Sequence, residues 1–199
     1  MTDCTDPACS PPDSPRPERL SILLKIGLRL TAERNLDRLL RMIIEETTTV
    51  MDAERSSLFL IDREKNEMWA KIAQGVETIE IRFPLGTGIA GTVGTTGEMI
   101  NIPDAYQDRR FNPEFDKHTG FRTRSMLCAP LRNMQGAIIG AVQVLNKRNG
   151  VFTRDDEALL SALASPAAIA IENADLYTRL QDLNAKLEGK VEERTADLV

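Results

Sequence analysis

Histidine is almost absent from this chain: His118 is the single one in 199 residues. A metal-dependent hydrolase needs several His and Asp ligands, so the composition excludes that chemistry here and predicts no metal site. Cysteine is nearly as scarce. Cys4 and Cys9 lie in a Pro- and Ser-rich stretch and Cys128 in an apolar run, so neither a disulfide framework nor a zinc site can be assembled. No apolar run reaches bilayer-spanning length, and the N-terminus lacks a basic-then-apolar signal pattern, which predicts a cytoplasmic protein without a membrane partner. Basic residues are outnumbered 25 to 30 and form no block, which argues against nucleic acid as a partner.

What is present suits one folded domain with extensions: 42% hydrophobic and 28% charged residues. Residues 1–17 are dense in Pro, Ser and Asp, too poor in apolar anchors to offset ordering entropy, and read as a disordered tail. Leu20, Leu23, Leu24, Gly27 and Leu28 recur at helical spacing. A second helix follows Asn35 as N-cap, with Leu36, Leu39, Leu40, Ile43, Ile44 and Val50 as its stripe. Strands are predicted at 56–62, 67–73, 79–83, 125–131 and 137–146, with a turn at Asn133–Gly136. The Gly-rich 86–97 is no strand, and its central IAGTV is read as one short helix. Residues 103–124 are polar and aperiodic, and a connection that long inside a domain suggests a lid. From Thr153 the pattern is helical to the end. The order predicts α+β: a central antiparallel sheet with helices packed on a face.

The last helix would run about 45 residues, roughly 65 Å at 1.5 Å per residue, far beyond a small domain. Leu176, Leu180, Leu183, Leu187, Val191, Thr195 and Leu198 form a coiled-coil seam with one inserted four-residue step. The boundaries read as a tail at 1–17, a domain at 18–178 and a coiled-coil signalling helix at 179–199. A parallel homodimer through the N- and C-terminal helices is expected.

Asn146-Lys147, then Phe152, then Asp156-Glu157 resembles the Asn-Lys-Phe-Asp-Glu motif of GAF domains in cyclic-nucleotide phosphodiesterases and some bacterial adenylyl cyclases. AERSSLFLID (53–62), GIAGTVGTTGEMINIPDAY (88–106) and HTGFRTRSMLCAPL (118–131) are further matches, in register over about residues 20–178. The resemblance implies a GAF fold, a sensory rather than catalytic role, and a salt bridge between Lys147 and Asp156 that ties a strand to the last helix.

It also implies a ligand site. Ser57 matches a residue that meets the base, and Ile89 and Ala90 match backbone positions at a short helix start, where free N–H groups receive a phosphate. Asp116, Thr119 and Thr123 match lid residues that hold the phosphate–ribose end or close the pocket. Asn112 and Gln143 occupy contact positions with different side chains. At Ala73-Gln74 a cyclic-GMP-binding relative has an aromatic and an Asp; Gln74 suits an adenine edge, which favours cyclic AMP slightly over cyclic GMP. The tail LNAKLEGKVEERTADLV resembles linkers before histidine kinase or nucleotide-cyclase output domains.

Other chemistries fare worse. GAF-fold methionine sulfoxide reductases need a set of reactive cysteines that Cys128 alone does not supply. Haem through His118 and a bilin on Cys128 rank below a loop histidine and a core thiol. The standing rival is a GAF domain that binds nothing and serves as a dimerisation spacer, or one that senses another small molecule.

Overall fold

The computed structural model describes residues 17–74 and 77–196, and side chains within them except at 17–20, 71–74, 77–79, 118–119 and 191–196. The expected tail therefore lies almost wholly outside the described residues, as do the side chains of the seam beyond Leu187.

Two helices lead the chain, α1 (Pro17–Ala32) and α2 (Leu36–Val50). Asn35 starts α2 as its sequence predicts: in extended conformation, its side chain accepts the Arg38 amide at 3.0 Å, satisfying one orphan donor of the first turn. Leu39, Leu40 and Ile43 are buried along one stripe of α2. Then come β1 (Ala53–Asp62), β2 (Glu67–Gln74), β3 (Glu77–Pro84), α3 (Gly88–Thr96) and β4 (Ile100–Ile102). The lid region holds a 3-10 turn (Ala105–Gln107) and the short α4 (Glu114–Thr119). β5 (Met126–Arg132), β6 (Ile138–Lys147) and α5 (Arg154–Ala196) complete the order.

The six strands form one antiparallel sheet in the order β3-β2-β1-β6-β5-β4. Its centre, β1 against β6, is tightly joined. A Cβ added at Gly140 would stand 2.2 Å from Phe59 O, so only glycine lets the strands meet there. Side chains alternate between faces, and two cores result. On one face Leu58, Leu60, Leu127, Leu131, Val142 and Val144 pack against α1, α2 and α5. On the other Phe59, Met68, Ala141, Met126 and Cys128 pack against Ile89, Ala90 and Val93 of α3. A fully buried Leu or Val contributes roughly 1.5–3 kcal/mol, so both faces hold the sheet in place. Burial pushes the Cys128 thiol well above its ordinary pKa, which makes it core rather than a reactive or bilin-bearing site.

α5 is continuous through Pro166. Its first half carries buried Leu160, Leu163, Ala167, Ala168, Ile171 and Ala174. From there on the apolar stripe is bare: Leu176, Tyr177, Leu180, Leu183 and Leu187 are all exposed. Pro166 faces α1, where a Cβ at Gly27 would lie 3.6 Å from Pro166 Cβ. Among the described residues, no helix is long and apolar enough to cross a membrane.

Candidate functional site

Register brings two of the expected contact positions side by side. Ser57 on β1 pairs with Gln143 on β6, which in turn pairs with Cys128 on β5. All three belong to the face that packs against α3. Gln143 is 9% exposed, and among the described residues neither it nor Ser57 makes a side-chain hydrogen bond. The row therefore offers donors and acceptors that the protein itself does not use.

α3 supplies the roof of that face, crossing β5 and β6. Thr87 precedes the helix in extended conformation without a side-chain cap. The amides of the first turn, including Ile89 and Ala90, are thus the orphan donors every helix start leaves, while both side chains are buried. Ala73 and Gln74 fall at the end of β2, opposite Thr78 and Glu77; their side chains lie outside the described residues, as does that of Thr119.

The lid is locked from within. Asp116, 8% exposed, accepts the Thr123 amide at 2.7 Å, the Thr123 hydroxyl at 2.8 Å and the Tyr106 hydroxyl at 3.0 Å. Desolvation, then the Asp116 carboxylate, raises the Tyr106 phenol above its ordinary pKa. Asn112 is exposed and accepts the Glu114 amide at 3.0 Å, so it shapes the entry to α4. Phe111 and Phe121 pack against the α3-side core, and the Arg55 guanidinium lies 4.3 Å from the Phe121 ring centroid. Tyr106, Arg55 and Phe121 escaped the sequence reading, because their pairing is non-local and has no period.

The five motif residues join the lid to α5. Asn146 is fully buried with φ 56°. Its carbonyl accepts the Arg124 amide at 2.6 Å, and its amide donates to Arg122 O and Glu54 Oε2, each at 2.8 Å. The bond from Asn146, then the pairing with Arg124, lowers the Glu54 pKa. Lys147 Nζ lies 2.8 Å from Asp156 Oδ1, the expected ion pair, and both side chains are largely buried. Phe152 is buried, and Glu157 accepts the Asn101 amide at 2.8 Å.

This arrangement, with a six-stranded antiparallel sheet between a helical layer and a lidded face, is shared with known proteins. The GAF domain family profile matches residues 35–171. The chain belongs to the GAF domain family. The dual 3′,5′-cyclic-AMP and -GMP phosphodiesterase 11A of Takifugu rubripes is 41% identical over 141 residues, covering 64% of this chain and 16% of that protein. A probable 3′,5′-cyclic phosphodiesterase of Caenorhabditis elegans is 35% identical over 172 residues, covering 79% of this chain and 23% of that protein. The chain thus spans under a quarter of the length of these relatives. Among solved structures, the GAF domain of a Coxiella burnetii phosphoenolpyruvate-protein phosphotransferase matches with TM-score 0.69 at 26% identity, over 81% of this chain and 96% of that one. The free methionine-R-sulfoxide reductase of Neisseria meningitidis shares the GAF fold, with TM-score 0.66 at 18% identity over 83% of this chain and 96% of that one. This GAF domain is related in sequence to phosphodiesterases, and its two-faced sheet is the fold of the family.

Proposed function

We propose that this GAF domain is a non-catalytic regulatory module that binds a cyclic nucleotide under its lid and passes the event to α5. The observation that carries this is the Ser57–Gln143 row on the α3 face, where neither side chain hydrogen-bonds within the described residues, together with a start of α3 that has no side-chain cap. Polar side chains can orient a purine edge, and helix-start amides receive a phosphate. The cyclic-nucleotide phosphodiesterases among the relatives support that ligand class. Gln74 favours cyclic AMP over cyclic GMP, since a side-chain amide can both donate to and accept from an adenine edge.

Output runs through a homodimer. The bare stripe of α5 and exposed Ile22, Leu24 and Leu28 on α1 suit a second copy of the chain, arranged in parallel so that both far ends reach one output domain, of the histidine kinase or cyclase kind. Ligand binding biases the helix pair only insofar as the two arrangements bind it with different affinity.

The test is calorimetric titration with cyclic AMP and cyclic GMP, with melting curves alongside. Saturable heat and a concentration-dependent rise in Tm, both lost in Ser57→Val and Gln143→Leu, are expected. No heat and no shift at millimolar nucleotide would leave the second reading, a dimerisation spacer. Phe111 and Phe121 packed against the α3-side core favour that reading, because they already occupy part of the space.

A further inference from the structure

At the C-terminal end of α3 lies a cleft of about 250 Å³, lined by Gly97, Met99, Pro130, Arg132, Ser161, Ala164 and Ser165. We infer that this cleft is a second small-molecule site, one that takes an oxyanion, carboxylate or phosphate, carried on a small apolar body.

The cationic wall is built before any ligand arrives. Arg132 Nη2 donates to Gly97 O at 2.9 Å and Nη1 to Gly136 O at 3.1 Å. Both bonds run to main-chain carbonyls, and among the described residues none runs to a carboxylate. A guanidinium has five N–H donors in a fixed fork, so two are engaged here and the rest are uncommitted. Two main-chain carbonyls orient the exposed guanidinium and no carboxylate pairs with it among the described residues, which leaves its other donors for oxyanion recognition.

The chain also makes room for it. Gly97 closes α3 with φ 71°, and a Cβ there would stand 2.1 Å from Arg132 Nη2. A side chain at this position would displace the guanidinium from the cleft.

The remaining walls match an anion with an apolar body. Ser161 and Ser165 are four residues apart on α5 and so share one helix face. The Ser165 hydroxyl makes only a long 3.4 Å bond to Ser161 O, so it can turn to a ligand. Met99, Pro130 and Ala164 supply the apolar floor. The three groups come from the end of α3, from β5 and from α5, so an occupant would fasten the roof of the lidded face to the output helix.

The experiment follows the methyl resonances of methionine-labelled protein by NMR, Met99 being the reporter. Phenyl phosphate and benzoate are the probes, and benzyl alcohol is the neutral control. A saturable Met99 shift is expected with at least one anion and not with the alcohol, and the tighter anion assigns phosphate or carboxylate. Affinity should fall tenfold or more in Arg132→Gln. It should vanish in Ser165→Leu, which fills the cleft and leaves Arg132 in place. Ser57→Val with Gln143→Leu should leave the response unchanged, separating this site from the proposed nucleotide site. No saturable shift with either anion, equal binding of the alcohol, or undiminished binding in Ser165→Leu would overturn the inference, and the last decides even where Arg132→Gln fails to fold.

Discussion

Lys147 Nζ lies 2.8 Å from Asp156 Oδ1 and 2.9 Å from Met51 O. One ammonium therefore joins the end of β6, the C-terminal cap of α2 and the first turn of α5. Asp156 is held in turn by the Thr153 amide at 2.8 Å and hydroxyl at 3.0 Å.

Removing one partner leaves the other buried without its counter-charge. Breaking a buried pair costs about 3–5 kcal/mol, and Lys147 and Asp156 keep 16% and 12% side-chain exposure. Lys147→Met and Asp156→Leu should each cost about 2–3 kcal/mol in urea unfolding. The double variant should cost clearly less than the sum, because the uncompensated charge is then gone. Strict additivity would show that the two groups do not act as a pair.

The same carboxylate gives the fold a pH dependence. Burial alone would raise the Asp156 pKa, but hydrogen bonds from Lys147 and Thr153 outweigh it and the pKa lies below the ordinary 3.8. A depressed folded-state pKa means stability that is present above the unfolded value and lost as pH falls through the folded one. Melting curves from roughly pH 6 down to pH 3 should show Tm falling at the acid end, with a shallower fall in Asp156→Asn. Equal slopes in the two proteins would remove Asp156 from the account.

Asn146 closes the lid's exit. Asn146→Gly keeps a backbone free to adopt positive φ but loses the bonds to Arg124, Arg122 and Glu54. At about 1 kcal/mol per bond, a loss of roughly 2–3 kcal/mol is expected. Hydrogen exchange gives the local reading: the Arg124 amide should lose protection more than amides in β1 do. Uniform loss across the sheet would mean global destabilisation instead.

Gly140→Ala should be severe. Its Cβ would meet Phe59 O at 2.2 Å, and backbone cannot yield as a side-chain tip can. Forcing β1 from β6 should cost about 3 kcal/mol or more, at the upper end of overpacking penalties. A melting temperature within a few degrees of the parent (about 1 kcal/mol) would show that the strands part easily.

The bare stripe of α5 makes the oligomer testable. Leu180→Asp with Leu183→Asp, both half exposed, should leave the domain folded by circular dichroism and convert a dimer to a monomer in sedimentation equilibrium. A parent protein that sediments as a monomer at every concentration would end the dimer proposal.

Local chemistry made much of this fold legible. Asn35 before an apolar stripe marks α2, and the glycines around IAGTV bound α3, because caps act over a few residues. The Lys147–Asp156 pair was legible through a motif resemblance, not through spacing. β4 has three residues and gains its identity only from pairing with Cys128, Leu127 and Met126. α4 has six, and its Asp116 is fixed by Tyr106 ten positions earlier and Thr123 seven later, a closure with no periodic trace. The pairing of Ser57 with Gln143 likewise depends on strand register, which no window along one strand reveals.

Pro166 sits where α1 rests on α5. Lacking an N–H, proline removes one rung of the helical ladder and crowds the carbonyl four residues before it. In the relay proposed above, a change at Asp156 would have to cross this missing rung before reaching Leu176. The weakest rung of the long helix thus lies under α1, where Gly27 leaves room for the proline ring.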